Sequence, residues 1–470
     1  MNENGIRSLD SFFFARMGAQ RLPGLAYALI ENGEVVHQHA LGLRDIGLHL
    51  PVTLDTLFGI GSVTKMLTAV AIMQLRERAL LDLDDPVEEH VPLPLSSVDK
   101  PIRIWHLLSH SSGIPTLGEA EARHAARWFR LGFPIAHSGD VLAFMEGAGE
   151  WVHFRPGERW FYLNEGYLLL GAIIERLSGQ SFIDYINAQI LDPLGMERSF
   201  FLRDQVETDP DRAIPYCVDR AGDYFVGMNL YRGLPAAGGL ITTVKDLAHF
   251  TQLFVNEGRS VNGEAVISPE SLRLIMEPRV ALPANAAPES MPAGLENDEF
   301  TGERHGAHGC GPQIFPGFFG HTLVGHSGGV MGASAYIGFL PERRMGAVVL
   351  TNFNNAPVEQ LVQAALGTLL GNEIGRLPFV QRERLLDGLV GPYDTFRSSI
   401  DVEVRRAGEL LELVIRNQYQ DRVIPLVPTS FDEQHPQFLG LSSGLSFPAE
   451  FIRSDRGVDL VFERYTFRKR

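Results

Sequence analysis

Residues 58–75, FGIGSVTKMLTAVAIMQL, constrain the fold more than any other stretch of the chain. Val63, Met66, Leu67, Val70 and Ala71 form one helical stripe, and Ile72 and Leu75 are apolar on the other side. A helix apolar over most of its circumference has no solvent face, so other elements must enclose it. The spacing predicts a helix from residue 63 to about 79, with Gln74 as the one interruption of its stripe. Enclosing it takes a large core, which 470 residues with a hydrophobic share of 45% can supply. The length also predicts a second, smaller domain.

The remaining pattern supplies the enclosing layers. LPGLAYALIENGEVVHQHALGL, from Leu22, reads as a hairpin about Asn32-Gly33, and SAYIGFLPERRMGAVVLTNF, from Ser334, as another about Pro341 to Arg344. Helical stretches fill the middle, among them Tyr167 to Ser178 capped by Gly179, and Val244 to Val255. Residues 281–306, rich in Pro, Ala, Gly and Glu, read as a long excursion at a cleft rim. The expected class is α/β, an antiparallel sheet flanked by helices with an inserted helical lobe, over residues 1–375. A helix from Val358 to Leu370 closes that domain. DVEVRRAGELLELVIR and AEFIRSDRGVDLVFERY then alternate about short turns, which predicts a small antiparallel, barrel-like β-domain over 385–470.

Charge and composition exclude several functions. A net charge of -16 repels phosphate backbones and anionic lipid, so nucleic acid and membrane are not expected partners. The first twenty residues lack the pattern of a signal peptide, and no apolar run reaches membrane-spanning length, so a cytoplasmic location is expected. Two cysteines, Cys217 and Cys310, are too few for a disulfide framework or a thiolate zinc site, and two buried free thiols are expected. No metal or cofactor is expected. Of 41 basic residues only those at 65, 100, 245 and 469 are lysine. A guanidinium keeps its proton whereas a desolvated amine can lose it, so a lysine inside an apolar segment points to a neutral amine at work.

Three short motifs carry the chemistry. Ser62 and Lys65 lie one helical turn apart on one face, where a dry amine can take the serine proton; Ser62 also meets the unpaired N–H groups of a helix start. An N-cap serine beside a snorkelling lysine is the competing reading, and Ser97-Val98-Asp99-Lys100 has the same spacing in a polar turn. Tyr162-Leu163-Asn164 follows a Pro-Gly turn and precedes a helix, from where a phenol can relay a proton and an amide can bind substrate; Tyr185-Ile186-Asn187 repeats the pattern inside a helix. His326-Ser327-Gly328-Gly329 would bring a backbone close to a ligand and supply a second oxyanion N–H beside that of Ser62.

In this order, Ser62-x-x-Lys65, Tyr162-x-Asn164 and His326-Ser327-Gly328 resemble the serine hydrolases related to class C β-lactamases and penicillin-recognising D-peptidases. IRIWHLLSHSSGIP (102–115), ILDPLGMERSFF (190–201) and PAAGGLITTVKDLAHF (235–250) are similar to recurring stretches of the same group, and the match runs from about residue 8 to 372. The resemblance implies that Ser62 is acylated, Lys65 accepts its proton, Tyr162 is general base and then acid, and Asn164 binds the acyl amide. It also implies an oxyanion hole from the N–H groups of Ser62 and Gly329, and substrate contacts along His326, Ser327, Gly328 and Gly329. His326 stands where penicillin-recognising members carry lysine, which weakens any grip on a β-lactam carboxylate. The tail resembles the lipocalin-like tail of some members; a cover over the cleft mouth and a packing or homo-oligomerisation module are equal alternatives for it. The expected activity is hydrolysis of short peptides or amides, including those with D-residues. A carboxylesterase is the alternative, with a β-lactamase or an inactive ligand-binding scaffold behind it.

Overall fold

A computed structural model of the chain describes residues 3–91, 101–116, 138–143, 145, 148–201, 203–227, 233–283, 306–408, 410–416, 421–442 and 444–470. The Ser97 to Lys100 repeat and nearly all of the 281–306 excursion lie outside them. Two compact units divide the chain, one ending at Asn372 and the other running from Glu373 to Arg470.

The first unit is built on a nine-stranded antiparallel sheet. Helix α1 (Glu3–Gln20) precedes β1 (Gly24–Glu31) and β2 (Glu34–Asp45). Their turn has φ of 56° at Asn32 and 82° at Gly33, the left-handed pair that a two-residue hairpin needs. From the other end of the unit come β3 (Gln313–Phe318), β4 (His321–Val330), β5 (Ala333–Leu340) and β6 (Met345–Thr351). β6 pairs with β1, so sheet material from the two ends closes into one layer in the order β2-β1-β6-β5-β4-β3, extended by two-residue strands at both edges.

β5 and β6 are buried at every position because helices cover both faces. On one face Phe339 stacks on Phe254 of the helix Val244–Val255, with ring centres 4.9 Å apart. On the other, a Cβ at Gly338 would come within 2.7 Å of Val362, on the helix Val358–Leu369.

The enclosed helix spans Thr64–Glu77, entered through a 3₁₀ turn at Gly61–Val63, and residues 64–75 are all buried. Its buried side-chain donors find acceptors inside. Thr68 Oγ1 donates to Ala236 O at 2.7 Å, and Gln74 Nε2 donates to Gln189 O and Val266 O. Gln74 therefore interrupts the apolar stripe without exposing the helix to water. The helical middle of the chain includes Asn164–Ser178, ended by Gly179 at φ 71°.

The second unit is a closed eight-stranded barrel in which each strand from Gly391–Asp394 to Tyr465–Lys469 pairs with the next and the last pairs with the first. This is the up-and-down closure that the lipocalin-like resemblance implies. Its interior is filled by inward side chains such as Val404, Leu413, Ile424, Phe438, Phe451 and Phe462. Gly440 makes room for Phe462, whose ring a Cβ would meet at 2.6 Å. The sequence reading leaves residues 376–384 between the two expected domains; here residues 378–384 begin a helix, Pro378–Leu389, whose Leu386 and Leu389 join the barrel core. No helix among the described residues is long and apolar enough to cross a membrane.

Candidate active site

The enclosed helix begins at the site. Gly61 takes φ of +50°, and its carbonyl accepts from Thr64 Oγ1 at 2.7 Å, which turns residues 61–63 so that Ser62 is half-buried at the first turn. Lys65, three residues on, is fully buried. Its Nζ donates to Ser62 Oγ at 3.1 Å, Asn164 Oδ1 at 2.7 Å and Ala237 O at 2.7 Å. It also lies over the rings of Tyr162 and Tyr167, at 4.9 and 5.4 Å from their centres. Lys245 and Lys469 differ from it: the first pairs with Asp55 while 41% exposed, and the second donates to Gly388 O.

Tyr162 reaches the same atom, its hydroxyl donating to Ser62 Oγ at 2.8 Å. Pro156-Gly157 turns the chain toward it, with the Trp105 ring 3.2 Å from where a Cβ on Gly157 would be. Trp105 thus backs that turn. Asn164 is the first residue of its helix, so Tyr162 and Asn164 are delivered together, two residues apart. The repeat at Tyr185 and Asn187 stays within a helical run, with Tyr185 buried in the core.

His326, Ser327, Gly328 and Gly329 lie on β4, directly before the β5–β6 hairpin. β3 pairs with β4 only from His321 to Gly325, so among the described residues 326–330 pair with β5 alone and turn their other edge to the Ser62 turn. A Cβ at Gly328 would sit 1.8 Å from Ile60 O, so this close approach requires glycine. A Cβ on Gly61 would come within 2.7 Å of Gly329 N, which puts that N–H beside the serine turn. Ser327 and Gly329 are exposed, whereas His326 and Gly328 are buried. An open recess of about 530 Å³ follows the strand, lined by Ser327, Gly329, Met331, Asn354 and their neighbours.

His326 does not aim a cation at the cleft. Its Nδ1 lies 2.5 Å from Ser327 O, and burial, with His308 and Lys65 nearby, pushes it down to about 3. Burial likewise holds His308 at about 4 and His110 well below the ordinary imidazole value. These two histidines escape the motif reading. His110 closes the quoted stretch IRIWHLLSH, but its part is visible only in three dimensions: its carbonyl accepts from Phe161 N–H at 2.6 Å and its Nδ1 from Leu163 N–H at 3.0 Å. Its ring stacks on Tyr162 at 4.1 Å and 28°. The residues on both sides of Tyr162 are therefore clamped to one histidine.

Among the described residues two clusters have the composition to hold a metal: His110 with His308 and His326, all buried, and the half-buried Asp10, His37 and His39. The latter group is internally satisfied, since Asp10 Oδ1 accepts from Tyr27 at 2.5 Å and from His39 at 2.8 Å. Cys217 and Cys310 are buried free thiols.

The β-lactamase family matches residues 9–371, and the Pab87 octamerisation domain matches residues 375–468. The structure of the octameric penicillin-binding protein homologue from Pyrococcus abyssi is 36% identical, with a TM-score of 0.86 over 99% of this chain and 100% of that one. Protein flp of Staphylococcus aureus (strain MW2) is 28% identical over 367 residues, 77% of this chain and 66% of the relative. The chain thus matches just under two thirds of the length of that relative. A D-stereospecific amidohydrolase from Streptomyces sp. shares the fold at 20% identity and a TM-score of 0.61, over 79% of this chain and 100% of that one.

Proposed function

The chain belongs to the β-lactamase family of serine hydrolases, and from that premise we propose that it hydrolyses small peptides or amides through an acyl-enzyme on Ser62. The observation that carries the reading is the convergence of Lys65 Nζ and Tyr162 OH on one oxygen, Ser62 Oγ. As Ser62 attacks the substrate carbonyl, its proton passes to Lys65 as a neutral amine or to Tyr162 as a phenolate. The carbonyl oxygen gains charge between the N–H groups of Ser62 and Gly329. Tyr162, resupplied by Lys65 where the lysine took the proton, hands it to the leaving amine as the C–N bond breaks; water then gives a proton to the same base as it cleaves the ester, and that proton returns to Ser62 as the acid leaves. Asn164, its Oδ1 held by the lysine, binds the acyl amide of the substrate in this reading.

Substrate choice follows from charge. With His326 neutral and buried, the strand offers no fixed cation for a β-lactam carboxylate, which favours uncharged or amine-bearing acyl groups. The resemblance to D-peptidases and the fold shared with a D-stereospecific amidohydrolase support D-residues. The second unit serves homo-oligomerisation in this proposal, supported by its octamerisation-domain match and by Val423, Val427, Leu439 and Leu441 exposed on adjacent strands of its outer wall.

The test is hydrolysis of D- and L-alanine p-nitroanilides beside p-nitrophenyl acetate, with Ser62→Ala in parallel. Anilide turnover lost in the variant is expected, with D above L. Acetate turnover alone gives the carboxylesterase, and no labelling of Ser62 by a fluorophosphonate gives the inactive scaffold.

A further inference from the structure

The buried imidazoles of His110, His308 and His326 meet beside Lys65 and Tyr162, with one ring nitrogen of each within 4.8 Å of those of the other two. Among the described residues the Nε2 atoms of all three are buried without a partner. Buried polar atoms are rarely left so, and three at one place mark a site for something that satisfies them together.

The Nδ1 contacts say what that is. His110 Nδ1 accepts from the Leu163 N–H, so the proton of this neutral ring is on Nε2. His308 Nδ1 faces Gly309 O at 3.0 Å and His326 Nδ1 faces Ser327 O at 2.5 Å. A carbonyl only accepts, so both Nδ1 atoms carry the proton and both Nε2 atoms present lone pairs. The cluster therefore offers one N–H donor and two acceptors. A divalent cation would find two ligands and one opposing N–H; a water molecule accepts once and donates twice.

We propose that His110, His308 and His326 enclose one structural water through their Nε2 atoms, and that this water-centred cluster is the positioning device for Tyr162. The water fixes the proton on His110 Nε2, which keeps the Nδ1 lone pair on the Leu163 N–H and the ring flat against the Tyr162 ring. His110 needs such anchoring, because it takes φ of +56°, a region unfavourable for a side chain with a Cβ. Burial keeps all three rings neutral, consistent with the one-donor, two-acceptor count. The effect on turnover depends on Tyr162 as proton shuttle; the water does not.

The test is a crystal structure of the whole chain, at a resolution that shows buried water, for wild type, His308→Gln and His308→Phe. Glutamine keeps an acceptor near the Nε2 position, whereas phenylalanine removes it and fills the space. One water within hydrogen-bond reach of all three groups is expected in wild type, kept in the Gln variant and lost in the Phe variant. Labelling of Ser62 by a fluorophosphonate should slow about tenfold or more in His308→Phe and stay within about threefold in His308→Gln. For p-nitrophenyl acetate kcat should fall with KM nearly unchanged. A dry cluster in the wild-type map, or a metal found there by anomalous scattering, overturns the water. A water present with equal labelling rates in wild type and His308→Phe overturns the positioning role. If wild type itself is not labelled, the reading of Ser62 fails and the map still decides the water.

Discussion

The two units solve folding in opposite ways. In the barrel every strand pairs with its sequence neighbour, apart from the closing pair, and alternate side chains fill the interior. In the first unit β1 pairs with β6 more than 300 residues away, and the site gathers Ser62, His110, Tyr162 and His326 from separate elements. Among the described residues local pairing makes a shell around an apolar interior, whereas long-range closure holds amines, phenols and imidazoles in the dry interior. Catalytic chemistry needs the second kind of construction.

The two lysines at the extremes of this contrast test it most strongly. Lys65→Arg keeps the charge but cannot surrender its proton, and should lower kcat on the order of 10²-fold to 10⁴-fold. Lys469→Arg, in the barrel, should leave hydrolysis of p-nitrophenyl acetate unchanged. Circular dichroism checks that both variants fold. A near-normal rate for Lys65→Arg would assign the base to another group and erase the distinction.

Acid should separate the units next. The folded-state values of His110, His308 and His326 are depressed below about 6.5, so the unfolded chain binds more protons once the pH falls under that value. The stability they contribute is complete above pH 6.5 and is lost as the pH drops toward about 4 and 3, the folded values of His308 and His326. Each imidazole costs about 1.4 kcal/mol per pH unit across that window. When Lys65 carries its proton, that charge adds to the penalty. The barrel contains one histidine, His435, and it is exposed. All four tryptophans, at 105, 128, 151 and 160, precede the barrel, so tryptophan fluorescence reports the first unit alone. Urea midpoints read by fluorescence should fall steeply between pH 6.5 and 4 in wild type and less so in His308→Gln; a flat profile would mean the imidazoles are not neutral.

What the sequence discloses follows the same division. The hairpin at Asn32-Gly33, the helix ending at Gly179 and the alternating strands after Asp401 are written in neighbouring residues, so periodicity and turn chemistry find them. Ser62 with Lys65 and Tyr162 with Asn164 are legible as pairs because each sits within one turn of chain. Their meeting is not, since 100 residues separate Ser62 from Tyr162. His110 reads as an ordinary residue after a short helix, because its partners Phe161 and Leu163 lie some 50 positions on. His308 belongs to a two-residue strand, too short to leave a periodic signal. Pro378–Leu389 hides for another reason: its charged residues mask the few leucines that face the barrel core.

Removing the barrel should matter less for turnover than Lys65→Arg. A chain ending near residue 375 is expected to keep the fluorescence unfolding transition and acetate turnover within about twofold, because the core of the first unit is its own. Light scattering should show its mass falling to that of a single copy. Aggregation of the truncated chain would mean that the two constructions are not independent.

A comparably small effect should come from the strand that edges the Ser62 turn, where two adjacent glycines have different reasons to be there. Gly328 is dictated by space, since a Cβ would collide with Ile60 O. At Gly329 a Cβ meets no described residue within 4 Å and the residue lacks the positive φ that glycine favours, so neither their packing nor strain requires glycine there. If the contribution of residue 329 is its backbone N–H, Gly329→Ala keeps that group and should change kcat by less than about threefold, with any larger change appearing in KM as the methyl enters the cleft. A fall in kcat of a hundredfold would show that the strand must flex during turnover, and the rigid edge inferred from the packing of Gly328 would have to give way to a moving one.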